Sequence, residues 1–428
     1  MKKTLNVAIA GLGVVGSGVY EILIEEIDLI NKRSRQNIKL IGVASRSKKD
    51  FVDRKKVKYF DNILDLVDAQ EVDVIVETIG GEDVAYELCK QALKNGKHFV
   101  TANKAMIANH GMELADLASR NNVSLCFEAA VAGSIPILKS LKEGLVANKI
   151  SKIYGILNGT CNYILSKMEE DNLDFKVALK QAQDLGYAEA DPAFDIENTD
   201  SAHKLAILAS IAKNSEVDFK ALHIEGITKI SINDIRFAGE FGYKIKSLGI
   251  FEDISENEIR QSVYPALIKK GEKLATVGDS YNAILSYGNN CKWNFQVGRG
   301  AGSRPTASAV VADIVDIANG SNPFPFGCDV KDLKIVKTIG LQEREGAYYL
   351  RFNIQKSFAQ NKEFLNKIFS DISIIEQSII KEIDADNFIY ALKLAKIKET
   401  QVNEILANID NLGQITDVNL IRIEDFNK

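Results

Sequence analysis

The sequence predicts an α/β protein in three parts: an N-terminal doubly wound parallel sheet, a central α+β unit, and a small C-terminal module of order βαββαβ. Three observations carry this. Residues 4–10 form a short apolar run that leads into Gly11-Leu12-Gly13-Val14-Val15-Gly16 and then a helical stretch; glycines placed between strand and helix mean far more than the same glycines alone. Up to about residue 101, short apolar strands alternate with amphipathic stretches and end in turn residues, the pattern of parallel strands joined by helices. From residue 347 onward the periods run strand, helix, strand, strand, helix, strand, a ferredoxin-like order.

In the N-terminal part, taken as residues 1–134, strands are expected at 4–10, 38–44, 72–76 and 98–101, and helices at 17–31 and 84–95. The glycine turn makes this a Rossmann-type NAD(P)-binding domain. Gly11 permits the tight turn, Gly13 lets backbone approach a pyrophosphate, and Gly16 lets helix and strand pack closely. The helix N-terminus presents free N–H groups and partial positive charge to a phosphate, and Val14 and Val15 of the turn are candidate cofactor contacts. Thr78, Ile79 and Gly80, at the end of the third strand, are further candidate cofactor contacts. An acidic residue after the second strand would bind a ribose 2′-hydroxyl. This chain has Ser45, Arg46, Ser47 and Lys48 there, so Arg46 and Lys48 favour NADP(H), with NAD(H) as the alternative.

The middle, residues 135–302, changes character. A helix is expected at 200–213 and β-rich runs at 224–232 and 262–267, followed by a helix at 305–319. Ser321-Asn322-Pro323-Phe324-Pro325 breaks the pattern, and residues 321–346 are taken as a linker. In residues 347–428, strands are expected at 348–354, 374–383, 388–397 and 415–423, with helices at 363–371 and 401–412.

Composition narrows the function classes. A chain of 428 residues, 46% hydrophobic, is long enough for two or three domains. The net charge is -5 and the basic residues are scattered, so neither nucleic acid nor an anionic membrane is an expected partner. The five cysteines, Cys89, Cys126, Cys161, Cys291 and Cys328, are widely spaced and form no CxxC pair. That excludes a disulfide framework and predicts reduced thiols in a cytoplasm. Met-Lys-Lys-Thr followed by a short strand is not the pattern of a secretory leader, and no apolar run reaches the roughly 18 residues of a membrane span.

The densest chemistry lies between Gly186 and Lys204. Glu189, Asp191, Asp195, Glu197 and Asp200 crowd this stretch, and Asp200 and Lys204 are four apart on one helix face. Alone, such a helix pair is an ordinary one. Carboxylates gathered in the loop before it, however, need a cation or a polar ligand.

Here the sequence resembles the homoserine dehydrogenases. Gly186-Tyr187-Ala188-Glu189-Ala190-Asp191-Pro192, with Asp195, Asp200 and Lys204, is similar to their signature block. So are Thr101-Ala102-Asn103-Lys104-Ala105, residues 127–136 (Phe-Glu-Ala-Ala-Val-Ala-Gly-Ser-Ile-Pro), Asn158-Gly159-Thr160-Cys161-Asn162-Tyr163-Ile164-Leu165 and residues 298–306. The blocks stand in family order across residues 5 to about 320. The resemblance implies hydride transfer with NAD(P) between L-aspartate 4-semialdehyde and L-homoserine, in the synthesis of threonine, methionine and isoleucine. It gives Lys204, Asp200 and Lys104 to catalysis and Glu189, Asp195, Thr160, Gly159 and Tyr187 to the substrate. Either lysine has the chemistry to donate the proton, with Lys204 the first choice. Gly300 and Gly302, with Lys104, would meet the cofactor as the chain folds back, bringing the helix within 303–320 against the nucleotide domain. Glu128, with the carbonyls of Val131, Gly133 and Ile135, would hold a monovalent cation, sodium. The central unit would serve catalysis and dimerisation. The C-terminal module resembles the ACT domain, implying a homo-oligomer, dimer or tetramer, and an amino-acid effector such as threonine.

There are departures. Asn198 stands where the family often has glycine, and Ser357-Phe358-Ala359-Gln360-Asn361-Lys362 replaces the usual glycine-containing ACT turn. Two other readings compete. Aspartate-semialdehyde dehydrogenase would need a cysteine nucleophile, and no cysteine lies in a matching motif. An NADP-binding sensor would not need Glu189, Asp200 and Lys204, which are all present. Fusion to a kinase is not expected.

Overall fold

A computed structural model describes residues 2–321, 324–359 and 363–426. In the N-terminal part, β1 (Thr4–Ala10) leads into α1 (Val14–Glu25) and α2 (Ile27–Arg33), then β2 (Asn37–Ala44), β3 (Lys58–Phe60) and a short α3 (Asp65–Asp68). β4 (Val74–Glu77), α4 (Asp83–Lys94), β5 (His98–Thr101), α5 (Lys104–Arg120) and β6 (Leu125–Cys126) complete it. The strands form one parallel sheet of order β3-β2-β1-β4-β5-β6. Period-two alternation divides β1 between two cores: Val7 and Ile9 face one layer of helices, Ala8 and Ala10 the other. Strand order reverses between β1 and β4, so a crevice opens beyond their carboxyl ends. The expected single helix at 17–31 begins at Val14 and breaks at Glu26. β3 and β6 were not expected, being too short to show a period.

The central unit holds α6 (Ile137–Lys139), β7 (Ile150–Ile156), α7 (Gly159–Glu170), α8 (Phe175–Asp184), α9 (Ala193–Ile196) and α10 (Thr199–Lys213). β8 (His223–Ile224), α11 (Ile232–Glu240), β9 (Tyr243–Ser255), β10 (Glu258–Lys269), β11 (Tyr281–Gly288) and β12 (Lys292–Arg299) follow. Every residue of α10 from Asp200 to Ile211 is buried, so this helix is the core of the unit and not a surface amphipath. The run 224–232 is not a strand beyond Ile224. Gly226 presses on the Ile196 and Glu197 backbone, and Ser231 and Asp234 form the capping box that starts α11; close packing and a cap override β propensity here.

α12 (Ser303–Ala318) returns to lie against α1, where a side chain on Gly18 would strike Ser303. Residues 324–346 do not hang free. Phe326 is buried against Phe127, and β13 (Lys337–Thr338) pairs with β10. The C-terminal module is β14 (Glu345–Gln355), α13 (Lys356–Ala359), α14 (Glu363–Ile368), β15 (Ile375–Glu382), β16 (Asn387–Lys398), α15 (Glu399–Asp410) and β17 (Ile415–Glu424). Its strands order β17-β14-β16-β15, and β17 pairs in parallel with β10, so central and C-terminal strands share one sheet. The seam is ionic as well. Arg351, 1% exposed, reaches Asp234 and Asp417, while Arg422 reaches Glu225 and Glu399. Within the turn 357–362, residues Gln360, Asn361 and Lys362 lie outside the described residues, as do Asn322 and Pro323 of the expected break.

Candidate active site

The glycine turn divides its three glycines by role. Gly11 has φ +98, and a Cβ there would strike Thr78 and Ile79; on Gly16 it would overlap the Gly11 carbonyl. A Cβ on Gly13 would meet nothing within 4 Å. Gly11 and Gly16 are therefore required by packing, whereas the space at Gly13 stays open. Gly13 caps α1 without a side-chain hydrogen bond, so the first N–H groups of the helix remain available to an anion. Arg46, Ser47 and Lys48 are exposed beyond β2, and Lys48 sits 3.8 Å from Asp61.

Thr78 and Gly80 border a cavity of about 630 Å³ that also includes Val15 and Lys104. The loop carrying them is fixed by Glu77, which sequence reasoning missed. This fully buried carboxylate accepts Ile79 N at 2.7 Å, Gly80 N at 3.1 Å and the Thr101 hydroxyl. Burial pushes its carboxyl up, against those bonds. A carboxylate ending an otherwise apolar strand was the available signal.

Across Val15, Ala102 and Lys104 lies a second cavity of about 630 Å³, lined by both domains. It brings together Gly159, Thr160, Tyr187, Glu189, Asp195, Asp200, Lys204, Gly133, Gly300 and Gly302. Asp200 stands in the first turn of α10, where a carboxylate suits the helix dipole. Its Oδ2 accepts Lys204 Nζ at 2.8 Å and Asn158 Nδ2 at 2.8 Å, while Oδ1 lies 3.1 Å from Lys104 Nζ. Burial pushes the Asp200 carboxyl up, but Lys204 and Lys104 outweigh it and hold the group well below the usual carboxylate range. Lys204, 8% exposed, also donates to the Leu157 carbonyl at 2.7 Å, and Asn282 Nδ2 steadies that carbonyl at 3.0 Å.

Asn158 is the second residue missed. It caps α7 by accepting from Cys161 N at 2.7 Å, and its amide bridges Asp195 Oδ1 and Asp200 Oδ2 at 2.8 Å each. Burial and the neighbouring Asp200 raise the Asp195 carboxyl. An asparagine before Gly-Thr at a helix start signals a cap, not a bridge between carboxylates. Thr160 Oγ1 donates to the Tyr187 carbonyl at 2.7 Å, and Glu189 is exposed at the rim. Asn198, the departure from the resemblance, takes the left-handed conformation (φ 64) at the start of α10. Its Nδ2 donates to Glu225 O at 2.7 Å and its Oδ1 accepts Ser247 Oγ at 2.8 Å. Asparagine tolerates that backbone better than other non-glycine residues. His203 stacks on Phe219 with ring centroids 4.2 Å apart.

Glu128 is buried and both its oxygens accept backbone N–H groups, from Leu138 and Lys139, at 2.9 Å. Its carboxylate thus receives the first N–H groups of α6, each oxygen keeping a further lone pair. Among the described residues no hydrogen bond reaches the Val131 or Gly133 carbonyl, whereas Ile135 O accepts Ile137 N.

Residues 11–128 match the family described as "Homoserine dehydrogenase, NAD binding domain", and residues 136–315 that described as "Homoserine dehydrogenase". A homoserine dehydrogenase of Pseudomonas aeruginosa is 37% identical, spanning 99% of this chain and 100% of its own. The crystal structure of a homoserine dehydrogenase from Thiobacillus denitrificans superposes with a TM-score of 0.91 at 38% identity, covering 100% of both chains. A hyperthermophilic archaeal homoserine dehydrogenase solved in complex with NADPH gives 0.64 at 27% identity, over 75% of this chain and 99% of that one.

Proposed function

Because the chain belongs to the homoserine dehydrogenase family of NAD(P)-dependent oxidoreductases, we propose that the cleft at Asp200 interconverts L-aspartate 4-semialdehyde and L-homoserine. One observation carries the assignment of roles: Asp200 binds Lys204 of its own helix and Lys104 of the nucleotide domain at once. A nicotinamide cofactor whose pyrophosphate is held at Gly13 and the start of α1 would supply hydride to the aldehyde carbon. The oxygen of that carbon then carries the developing charge, which an ammonium both stabilises and neutralises. Lys204 Nζ has three protons; two point at Leu157 O and Asp200 Oδ2, and the third is left for the substrate oxygen. Lys104 adds a second positive charge from the other side of Asp200. Glu189 and Asp195 take the substrate ammonium, beside Thr160, Gly159 and Tyr187.

Arg46 and Lys48, with no acidic residue among positions 45–48, support a preference for NADP(H). A sodium ion would be held by Glu128 with the carbonyls of Val131, Gly133 and Ile135, a carboxylate and hard oxygen donors that suit such a cation. The five cysteines, free in the structure, support a reducing, cytoplasmic setting. The C-terminal module is assigned as ACT-like, with threonine the effector to test; β15, an exposed edge strand, suits pairing within a homo-oligomer. Aspartate-semialdehyde dehydrogenase chemistry is disfavoured: Cys161 is fully buried, with its Sγ directed at Asp195 O, and burial pushes the thiol well up.

The test follows NADPH absorbance with L-aspartate 4-semialdehyde. Lys204→Ala should lose about 1000-fold in kcat and Lys104→Ala about 10- to 100-fold. Both variants turning over near the wild-type rate would refute the mechanism.

A further inference from the structure

Three cationic side chains line the catalytic cleft: Lys104, Lys204 and Arg299. Both lysines are paired to Asp200. Among the described residues no carboxylate pairs with Arg299. Its Nη1 instead donates to Ser280 Oγ at 2.8 Å, and its guanidinium lies over the Tyr281 ring, 4.4 Å from the centroid. The same cleft holds two carboxylates, Glu189 and Asp195, that pair with no cation among the described residues. An amino-acid zwitterion needs one charge of each kind. We propose that Arg299 binds the α-carboxylate of the amino-acid substrate, the group for which the residues assigned above leave no cation. This rests on the substrate reading given under the proposed function.

The guanidinium is mounted rigidly. Arg299 ends β12 and pairs with Tyr281 of β11, and its carbonyl accepts Ser134 N and Ser134 Oγ at 3.0 Å each. Gly159, the first residue of the twelve-residue α7, comes so near that a Cβ would lie 2.7 Å from the Ser280 carbonyl. The N-terminus of α7 and the guanidinium thus meet at one corner of the cleft, through the serine that Arg299 holds. Helix N–H groups and a planar five-donor fork are complementary to one carboxylate.

The test compares L-aspartate 4-semialdehyde with 3-aminopropanal, which keeps the amine and aldehyde but lacks the carboxylate. Wild type should prefer the former by 100-fold or more in kcat/KM. Arg299→Gln should lose at least about 100-fold with the semialdehyde, mostly through KM, yet change less than threefold with 3-aminopropanal. Arg299→Lys should recover part of the loss, and NADPH binding, followed by fluorescence, should stay within twofold in both variants. Equal losses on the two aldehydes, or no wild-type discrimination, would overturn the proposal. So would weakened NADPH binding, which would make Arg299 a cofactor contact. Wild type inactive on both aldehydes would instead remove the functional reading itself. Should Arg299→Gln not fold, the KM for the semialdehyde in Arg299→Lys decides, since a displaced point charge should raise it about tenfold.

Discussion

Replacing Asn158 with alanine removes three hydrogen bonds at once, one that caps α7 and two that reach Asp195 and Asp200. Loss of the cap costs about 1 kcal/mol, and each amide-to-carboxylate bond about 1.5–3 kcal/mol. Water entering from the cleft restores part of this, so the net destabilisation should be about 3–5 kcal/mol. That is within the usual margin of a folded protein, and the melting temperature should fall by roughly 3–6 °C. Activity should suffer more than stability. Asp195 and Asp200 would face each other without the bridging amide, and Asp200 sets the position of both lysines; a displacement on the order of 1 Å costs about 100-fold in kcat/KM. Asn158→Ser separates the two roles, because serine caps as well as asparagine but is too short to span both carboxylates. The serine variant should regain about 1 kcal/mol in calorimetry while remaining as slow as the alanine variant. Recovery of kcat/KM to within threefold of wild type in Asn158→Ser would refute the bridging role.

Two further outcomes follow from charges elsewhere. Arg46→Ala should raise KM for NADPH about tenfold or more and leave NADH nearly unchanged; an equal effect on both cofactors in steady-state kinetics would remove the basis for NADP preference. Lys246, buried in β9, donates to Asn162 Oδ1 at 3.1 Å and Val277 O at 2.7 Å, and burial pushes its ammonium down to about 8 against the pull of Glu169. Between about pH 8 and the unfolded value near 10.4, the unfolded chain binds the extra proton, so stability rises with pH across that window by up to about 3 kcal/mol. Urea titrations should show this rise in wild type relative to Lys246→Met, and parallel curves would assign the titration elsewhere.

What was legible in the sequence was local. The glycine turn announces itself because strand, turn and helix are contiguous, and Asp200 and Lys204 share a helix face by spacing alone. The resemblance then brought in Lys104, which spacing could not. Glu77, Asn158 and Arg299 were missed because each acts through partners far along the chain: Thr101 for Glu77, Asp195 and Asp200 for Asn158, Ser280 for Arg299. The run 224–232 misled for a similar reason, since its apolar residues pack on α9 and α11 and not in a ladder. The burial of α10 from Asp200 to Ile211 was equally hidden, because an all-round apolar helix and a surface helix differ in their neighbours more than in their caps.

The parallel pairing of β10 with β17 has a mechanical side. A sheet that runs without interruption from β12, whose Arg299 lines the cleft, into the C-terminal strands behaves as one plate, and its halves cannot be parted without leaving raw ends. Cutting at residue 346 would bare the amides of β10 near Leu267 and strip Asp234, 0% exposed, of its guanidinium. An ion left in that position costs several kcal/mol, and an open strand edge invites the next molecule to fill it. The terminal module is thus a buttress to the catalytic unit before it is anything else.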